Sequence, residues 1–344
     1  MNVGIVGSTG YGGVELYRLL VNHPNVENCI LYSSSLEGAP YADQYPHLFN
    51  LSHEVVNPIK IEEMKQLDFV FLAVPSGVSK ELSQKIIGEK AKVIDLSGDL
   101  RLKNPQEYEE WYKGESAATD ILQKAVYGLT ECNRQSIQEA ELIANPGCFP
   151  TATLLGLAPL FHHELVEPHS IIIDAKTGLS GAGRKATQSS HFSETQENLR
   201  IYKVHQHQHT PEIEQQLKEW NSEAGPITFT THLIPMTRGI MATMYTELKS
   251  TYTTEQLHNI YQGYYEKHPF IKIRPVGQFP STKEVFGTNF CDIAIKSDPR
   301  TNRVTIVSVI DNLLKGASGQ AVQNMNLMLG LDETTGLYHY PIYP

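Results

Sequence analysis

Two hydrophobic periods alternate through the first half of the chain. Residues 2–6 form an apolar run of strand length, and residues 12–21 follow with Val14, Leu16, Leu19 and Leu20 spaced for one face of a helix. Residues 28–32 return to strand character. Residues 68–74, "DFVFLAV", are almost continuously apolar, as expected of a strand covered on both faces. A helical stretch over 78–87, a second buried strand in "KVIDLS" and a short apolar strand at 142–144 continue the rhythm. Strand, helix, strand in this order predicts an α/β fold with a Rossmann-type, doubly wound parallel sheet. Beyond residue 148 the texture changes. Segments 170–175, 227–233, 241–248, 290–296 and 303–310 are strand-like, and several alternate apolar with polar residues. That alternation predicts a second α+β domain whose mixed or antiparallel sheet has one covered face. Residues 314–329 place Leu314, Ala317, Ala321, Met325 and Met328 on one helical face.

Composition narrows the field. The chain has 344 residues, 40% of them hydrophobic and 19% charged, with a net charge of −10. That length fits two domains, and that charge offers no attraction for nucleic acid or an acidic membrane. No apolar stretch is long enough to span a bilayer, and "MNVGIVGSTG" lacks the basic region of an export signal. A cytoplasmic setting is expected. The four cysteines, Cys29, Cys132, Cys148 and Cys291, form no C-x-x-C pair and are read as thiols. Cys29 and Cys291 lie in apolar runs and read as buried hydrophobes, whereas Cys132 falls in an expected loop.

Two stretches carry candidate chemistry. "VGIVGSTGYGG" follows the first strand directly, with Gly7, Gly10, Gly12 and Gly13. The spacing departs from G-x-G-x-x-G, yet glycines between a strand and a helix suit a pyrophosphate at the helix N-terminus. Gly7, Ser8, Thr9, Gly10, Tyr11 and Gly12 are the expected cofactor loop. At the end of the second strand stand Ser33, Ser34 and Ser35, with Glu37 beyond. Hydroxyls there suit the 2′-phosphate of NADP; a plain polar loop is the alternative.

The second stretch is "ANPGCFPT". Asn145-Pro146-Gly147 breaks the strand and Pro150 suits a first helical turn, so Cys148 sits at the positive end of a helix dipole. That position favours a thiolate. "YKVHQHQHTPEI" adds His205, His207 and His209. If the segment is extended, alternate residues share a face, and either metal binding or acid/base use of one histidine is open. No second patterned ligand cluster accompanies them, so no metal is expected. "SGAGR" is a second glycine-rich loop, and Ala182 in the last glycine position disfavours a serine-hydrolase elbow around Ser180.

With "GSTGYGGVEL", "FLAVPSGVS", "DLSGDLRL", "YGLTE", "NPGCFPTA", "SGAGR", "HTPEI", "HLIPMTRGI" and "DNLLKGASGQAVQNMN" in place, the chain resembles the N-acetyl-gamma-glutamyl-phosphate reductases of arginine biosynthesis from residue 7 to residue 326. The resemblance implies NADPH-dependent reduction of N-acetyl-glutamyl 5-phosphate to the 5-semialdehyde with loss of phosphate, through a cysteine thioester. It implies a dinucleotide-binding domain over 1–147 plus 316–344 and a catalytic and dimerisation domain over 148–315, in a homo-oligomer. It places the nucleophile on Cys148 and the acid/base on His207 with His209 beside it. Ser33 and Ser35, with Ser180, Gly181 and Asn312, fall to the cofactor; Arg101, Arg184 and Arg238 fall to the substrate. Gln208 stands where the family often has arginine, Ser76 where histidine is common, and no arginine follows the second strand. Reductases of longer acyl phosphates, aspartate-semialdehyde dehydrogenase and a non-catalytic nucleotide-binding regulator are the rival readings.

Overall fold

The computed structural model describes residues 1–343, which divide into two compact units: Met1–Pro146 with Ala317–Leu337, and Gly147–Gly316 with the segment from Tyr338 onward.

In the first unit, strands β1 (Asn2–Val6), β2 (Asn28–Tyr32), β3 (Phe69–Leu72), β4 (Lys92–Asp95), β5 (Val126–Tyr127) and β6 (Leu142–Ala144) form one parallel sheet in the order β2-β1-β3-β4-β6-β5. All four residues of β3 are buried, as its unbroken apolar run requires. Between the strands run helices α1 (Tyr11–Leu20), α2 (Tyr41–Gln44), α3 (Ile61–Met64), α4 (Ser79–Ile86), α5 (Pro105–Tyr112), α6 (Thr119–Lys124) and α7 (Thr130–Glu139). Strand order reverses between β1 and β3. Such a switch point leaves a crevice at the carboxyl ends of the strands, where open α/β sheets bind ligands, and the loop after β1 opens onto it. Cys132 lies inside α7 rather than in a loop: Leu129 O accepts from its N–H, so the helix begins earlier than the polar sequence suggests.

The second unit contains α8 (Cys148–His162), α9 (Phe192–Thr195), α10 (Thr210–Trp220) and α11 (Thr254–Tyr265). Its seven strands are β7 (Ile172–Thr177), β8 (Arg200–Tyr202), β9 (Thr228–Leu233), β10 (Ile240–Glu247), β11 (Ile271–Ile273), β12 (Cys291–Asp298) and β13 (Arg303–Ile310), in the order β11-β12-β13-β10-β7-β9-β8. The β7/β9 and β11/β12 pairs are parallel and the rest antiparallel. Along β10, Ile240, Ala242, Met244 and Thr246 are buried and the residues between them are half-buried. α8 covers this face. Every residue from Phe149 to Phe161 is buried, so the helix is a central core element with no polar side. A side chain on Gly156 would place its Cβ 2.3 Å from the Met244 methyl, and this is why glycine stands there.

The amphipathic stretch 314–329 is not one continuous helix. Leu314–Ser318 is a turn of π-helix, in which Gly316 N–H donates to Asp311 O five residues back at 3.0 Å. α12 (Gly319–Met328) then follows, buried along its whole length in the first unit. The segment after Leu337, expected with the first unit, packs with the second instead: Ile342 N–H donates to Phe286 O, and Tyr338 meets Phe290 edge-on.

Candidate active site

The loop after β1 fits a dinucleotide pyrophosphate on steric grounds. Gly7 has φ +82°, and a Cβ there would fall 2.3 Å from Ala73 O; a Cβ on Gly13 would fall 2.4 Å from Gly7 O. Only glycine satisfies both. A Cβ on Gly10 or Gly12 would make only ordinary van der Waals contact, at 3.6 Å and 4.0 Å. α1 begins at Tyr11, after Gly10, with no side chain capping its first turn. Its N–H groups are therefore available to an anion. Two residues without a sequence signal brace the loop. Tyr41 Oη donates to Ser8 O at 2.7 Å, and Tyr45 Oη donates to Thr9 O at 2.9 Å and to Gly10 O at 3.2 Å. Gly7 and Ser8 N–H donate to Tyr32 O and Gly10 N–H donates to Gly7 O, so the loop is held from both sides and the first turn of α1 is the part that faces a ligand. Ser8 itself is buried with its hydroxyl on Tyr32 O, so it anchors the turn. Ser33 is buried too, its Oγ 3.1 Å from Ser35 Oγ; Ser34, Ser35 and Glu37 are exposed. Behind the neighbouring "VPSGVS" loop, Asp99 accepts Gly77 N–H on both oxygens, at 2.7 and 2.9 Å. It fixes the backbone beside the exposed Ser76.

Arg101 is buried. Its Nε donates to Asn145 O at 2.8 Å and an Nη to Leu96 O at 2.9 Å, so it clamps the backbone leading to the cysteine corner. Asn145 accepts from Asn324 Nδ2 on α12 and donates to Ala317 O.

In the second unit, Gly147 caps α8 and Cys148 is its first residue, half-buried at the head of an otherwise buried helix. Gly147 N–H donates to Glu212 Oε1 at 2.8 Å. Glu212 is fully buried in the first turn of α10. This carboxylate, 64 residues from the nucleophile in sequence, was beyond local pattern reading. From the other side the π-turn closes in, where a Cβ on Gly316 would lie 2.7 Å from Cys148 Cβ.

The three histidines do not share one face. The segment is a turn, not a strand: Gln206 N–H donates to Lys203 O, and Lys203 and His205 adopt φ +45° and +53°. His205 is exposed, while His207 and His209 are buried. The His207 ring lies edge-on to Phe149, Tyr202 and Phe229 at 5.3–5.7 Å between centroids. Its Nδ1 accepts His209 N–H at 3.1 Å, so the neutral ring carries its proton on Nε2. Burial, reinforced by the Lys203 ammonium, pushes its pKa down to about 3. Near neutral pH His207 is thus a hydrogen-bond donor rather than an imidazolium. Burial, and next the charge of the nearby Cys148 sulfur, raises the Tyr202 phenol well above its ordinary range. Among the described residues no three His, Cys, Asp or Glu side chains gather as a metal-binding group.

Asn312 is buried behind this unit's glycine-rich loop. Its Nδ2 donates to Ser180 Oγ at 3.0 Å and its Oδ1 accepts Gly239 N–H at 2.8 Å. Gly181 and Arg184 are exposed. Arg238 sits 3.7 Å from the buried Asp311, whose carboxylate also accepts the N–H groups of Gly287, Leu313 and Leu314.

A parallel sheet with a glycine loop at its switch point, followed by a mixed-sheet unit that presents a cysteine at a helix N-terminus, defines the semialdehyde dehydrogenase class. The chain matches the models "Semialdehyde dehydrogenase, NAD binding domain" over residues 2–140 and "Semialdehyde dehydrogenase, dimerisation domain" over residues 148–312. Solved structures share the fold. Aspartate semialdehyde dehydrogenase II of Vibrio cholerae superposes with a TM-score of 0.73 at 17% identity, covering 96% of this chain and 98% of the other. The Candida albicans aspartate semialdehyde dehydrogenase with NADP gives 0.68 at 14%, covering 95% and 98%. Sequence is more discriminating. The chain is 60% identical to the N-acetyl-gamma-glutamyl-phosphate reductase of Bacillus subtilis (strain 168) and 55% identical to that of Geobacillus stearothermophilus, each over 100% of both chains. The chain belongs to the N-acetyl-gamma-glutamyl-phosphate reductase family.

Proposed function

We propose that this protein reduces N-acetyl-L-glutamyl 5-phosphate to N-acetyl-L-glutamate 5-semialdehyde, releasing phosphate, as a step of arginine biosynthesis. The observation that carries the reading is Cys148: a half-buried thiol at the first position of a buried helix, its corner pinned by Glu212, with neutral His207 in the same unit. The Cys148 thiolate attacks the acyl carbon. The C–O bond to phosphate then breaks with its electron pair on the leaving oxygen, and a thioester remains. His207 Nε2–H donates a hydrogen bond to the oxyanion of each tetrahedral stage. The loop of Gly7, Ser8, Thr9, Gly10, Tyr11 and Gly12 would hold NADPH, which would supply the hydride needed to reduce the thioester carbon. Collapse of the resulting alkoxide expels the Cys148 thiolate and yields the aldehyde, so no imidazolium is required. This use of His207 refines the acid/base role expected from sequence, because a ring that protonates only near pH 3 is a poor proton reservoir.

Ser35 and Ser34, exposed after β2 and without an acidic residue at the strand end, support NADPH over NADH. Asn312 and Ser180 form a hydrogen-bonded pair beside Gly181 and are assigned to the cofactor; Arg184 and Arg238 are assigned to the anionic substrate. Arg101 acts through the backbone of Asn145. The second unit's match to a dimerisation domain supports a homo-oligomer, and a biosynthetic reaction on a small molecule supports a cytoplasmic setting. Among the described residues no helix is long and apolar enough to cross a membrane.

The test is phosphate-dependent reduction of NADP and of NAD by N-acetyl-glutamate semialdehyde, beside aspartate semialdehyde and the one-carbon-longer aminoadipate analogue. The N-acetylated five-carbon substrate with NADP gives the highest kcat/KM. A preference for aspartate semialdehyde, or binding of NADP without any turnover, rejects the reading.

A further inference from the structure

Lys203 has no place in the mechanism above, yet its setting is that of a working charge. It follows Tyr202, whose ring is 5.7 Å from the His207 ring and whose phenol senses the Cys148 sulfur. Its backbone is left-handed, at φ +45°, a conformation that costs a non-glycine residue of the order of 1 kcal/mol. The turn to Gln206 holds it so. The side chain is clamped as well: Nζ donates to Gln208 Oε1 at 2.6 Å. That partner is a neutral amide, and among the described residues no carboxylate pairs with this ammonium. Lys203 is exposed overall, yet partial burial of its ammonium lowers its pKa from the ordinary value, and its charge reaches His207, whose pKa it helps to depress. A cation that is backbone-restrained, side-chain-clamped and uncompensated is arranged to receive an anion.

We infer that Lys203, steered by Gln208, binds an anionic oxygen of the acyl-phosphate substrate, that of the phosphoryl group which leaves from the carbon under attack by Cys148. The inference rests on the proposed reaction, whose substrate carries two anions, a phosphoryl group and a carboxylate. The phosphoryl group is favoured because Lys203 adjoins Tyr202, whose phenol feels the Cys148 sulfur, and because its charge reaches His207, whose ring meets that of Tyr202. The carboxylate is separated from the reacting carbon by three further carbons. As the acyl C–O bond breaks, charge grows on the phosphate oxygens, and the ammonium stabilises it without transferring a proton.

Two measurements on Lys203→Met, Lys203→Arg and Gln208→Ala test this. The first is the KM for inorganic phosphate and for semialdehyde in the aldehyde-oxidising direction. Charge-assisted hydrogen bonds are worth about 1.5–3 kcal/mol, so Lys203→Met raises the phosphate KM about tenfold to a hundredfold and spares that of the semialdehyde. Lys203→Arg restores most of the loss, and Gln208→Ala gives a smaller rise that vanishes in the Lys203→Met background. The second needs no turnover: inorganic phosphate slows alkylation of Cys148 by iodoacetamide in the wild type and much less in Lys203→Met. Should the wild type fail to oxidise N-acetyl-glutamate semialdehyde, the proposed reaction falls and phosphate protection still decides the role of Lys203. A rise in the semialdehyde KM alone assigns Lys203 to the carboxylate and overturns the inference. So do unchanged constants together with unchanged protection.

Discussion

At the scale of single residues, Cys148 and His207 behave differently from their neighbours because of where burial stops. α8 is sealed from Phe149 to Phe161, and it reaches the surface only at its two ends, Cys148 and His162. Cys148→Ser therefore abolishes turnover and leaves NADP affinity unchanged, checked by steady-state rates and cofactor titration. A hydroxyl lacks a thiolate-like state near neutrality. Near-normal activity in the pure variant ends the thioester route. The histidines separate just as clearly. His209 presents its backbone N–H to His207 Nδ1, and His209→Asn keeps that amide. His207→Asn removes the Nε2 donor. Loss of an oxyanion donor costs about a hundredfold to a thousandfold in kcat, so His207→Asn is the slower variant by at least tenfold. If His209→Asn proves slower, the oxyanion donor has been placed on the wrong ring.

At the scale of elements, the corner between β6 and α8 depends on a partner far along the chain. Glu212 is buried and accepts Gly147 N–H. Glu212→Leu leaves that amide without its acceptor, which costs about 1–3 kcal/mol. Glu212→Gln keeps an acceptor oxygen and costs less. Urea unfolding of the two variants reads the difference; equal losses would mean the bond contributes nothing of its own. This element also shows what was legible beforehand. Helix α1 and the buried strands β3 and β4 follow from hydrophobic period alone, because a segment covered on both faces or on one stripe must show it in its own residues. Cys148 and the glycine loop were visible for the same reason: each is a local turn. Glu212, Asp99, Tyr41, Tyr45 and Asp311 were not, since each acts on backbone distant in sequence and looks locally like any polar residue. His205, His207 and His209 were spotted but wrongly aligned. The left-handed turn at Lys203 and His205 leaves no trace in hydrophobic period, and it turns an apparent shared face into one exposed and two buried rings. The π-turn at Leu314 escaped because apolar spacing tolerates one extra residue per turn; the close approach of Gly316 to Cys148 explains the glycine there and leaves no mark in hydrophobic period.

At the scale of the whole molecule, the buried neutral His207 ties stability to pH. In the unfolded chain it takes up a proton near its ordinary pKa of 6.5, but in the folded protein only near 3. The unfolded state thus binds more protons between these values, and stability falls as pH drops through that window. The contribution approaches about 1.4 kcal/mol per pH unit. Urea unfolding at pH 7, 6 and 5 therefore shows a steeper decline in the wild type than in His207→Gln, the gap widening with each unit. Parallel declines would show that this ring does not govern acid sensitivity.

The course of the backbone has a consequence for how the protein is made. α12 is buried throughout in the first unit, where Asn324 bonds Asn145 and Asn326 bonds His23. Yet it is synthesised after the intervening segment Gly147–Gly316, about 170 residues later. Ribosomes add about 5–20 residues per second, so the nascent first unit waits roughly 10–30 s for its last helix. For that interval the sides of α1 and α7 that α12 covers stand open beside the sheet, and Thr130, Glu131 and Asn145 lack their partners on α12. The order of translation thus runs opposite to the order of completion. The unit that emerges first closes last, and until then its buried polar groups stand exposed to water and to chaperones.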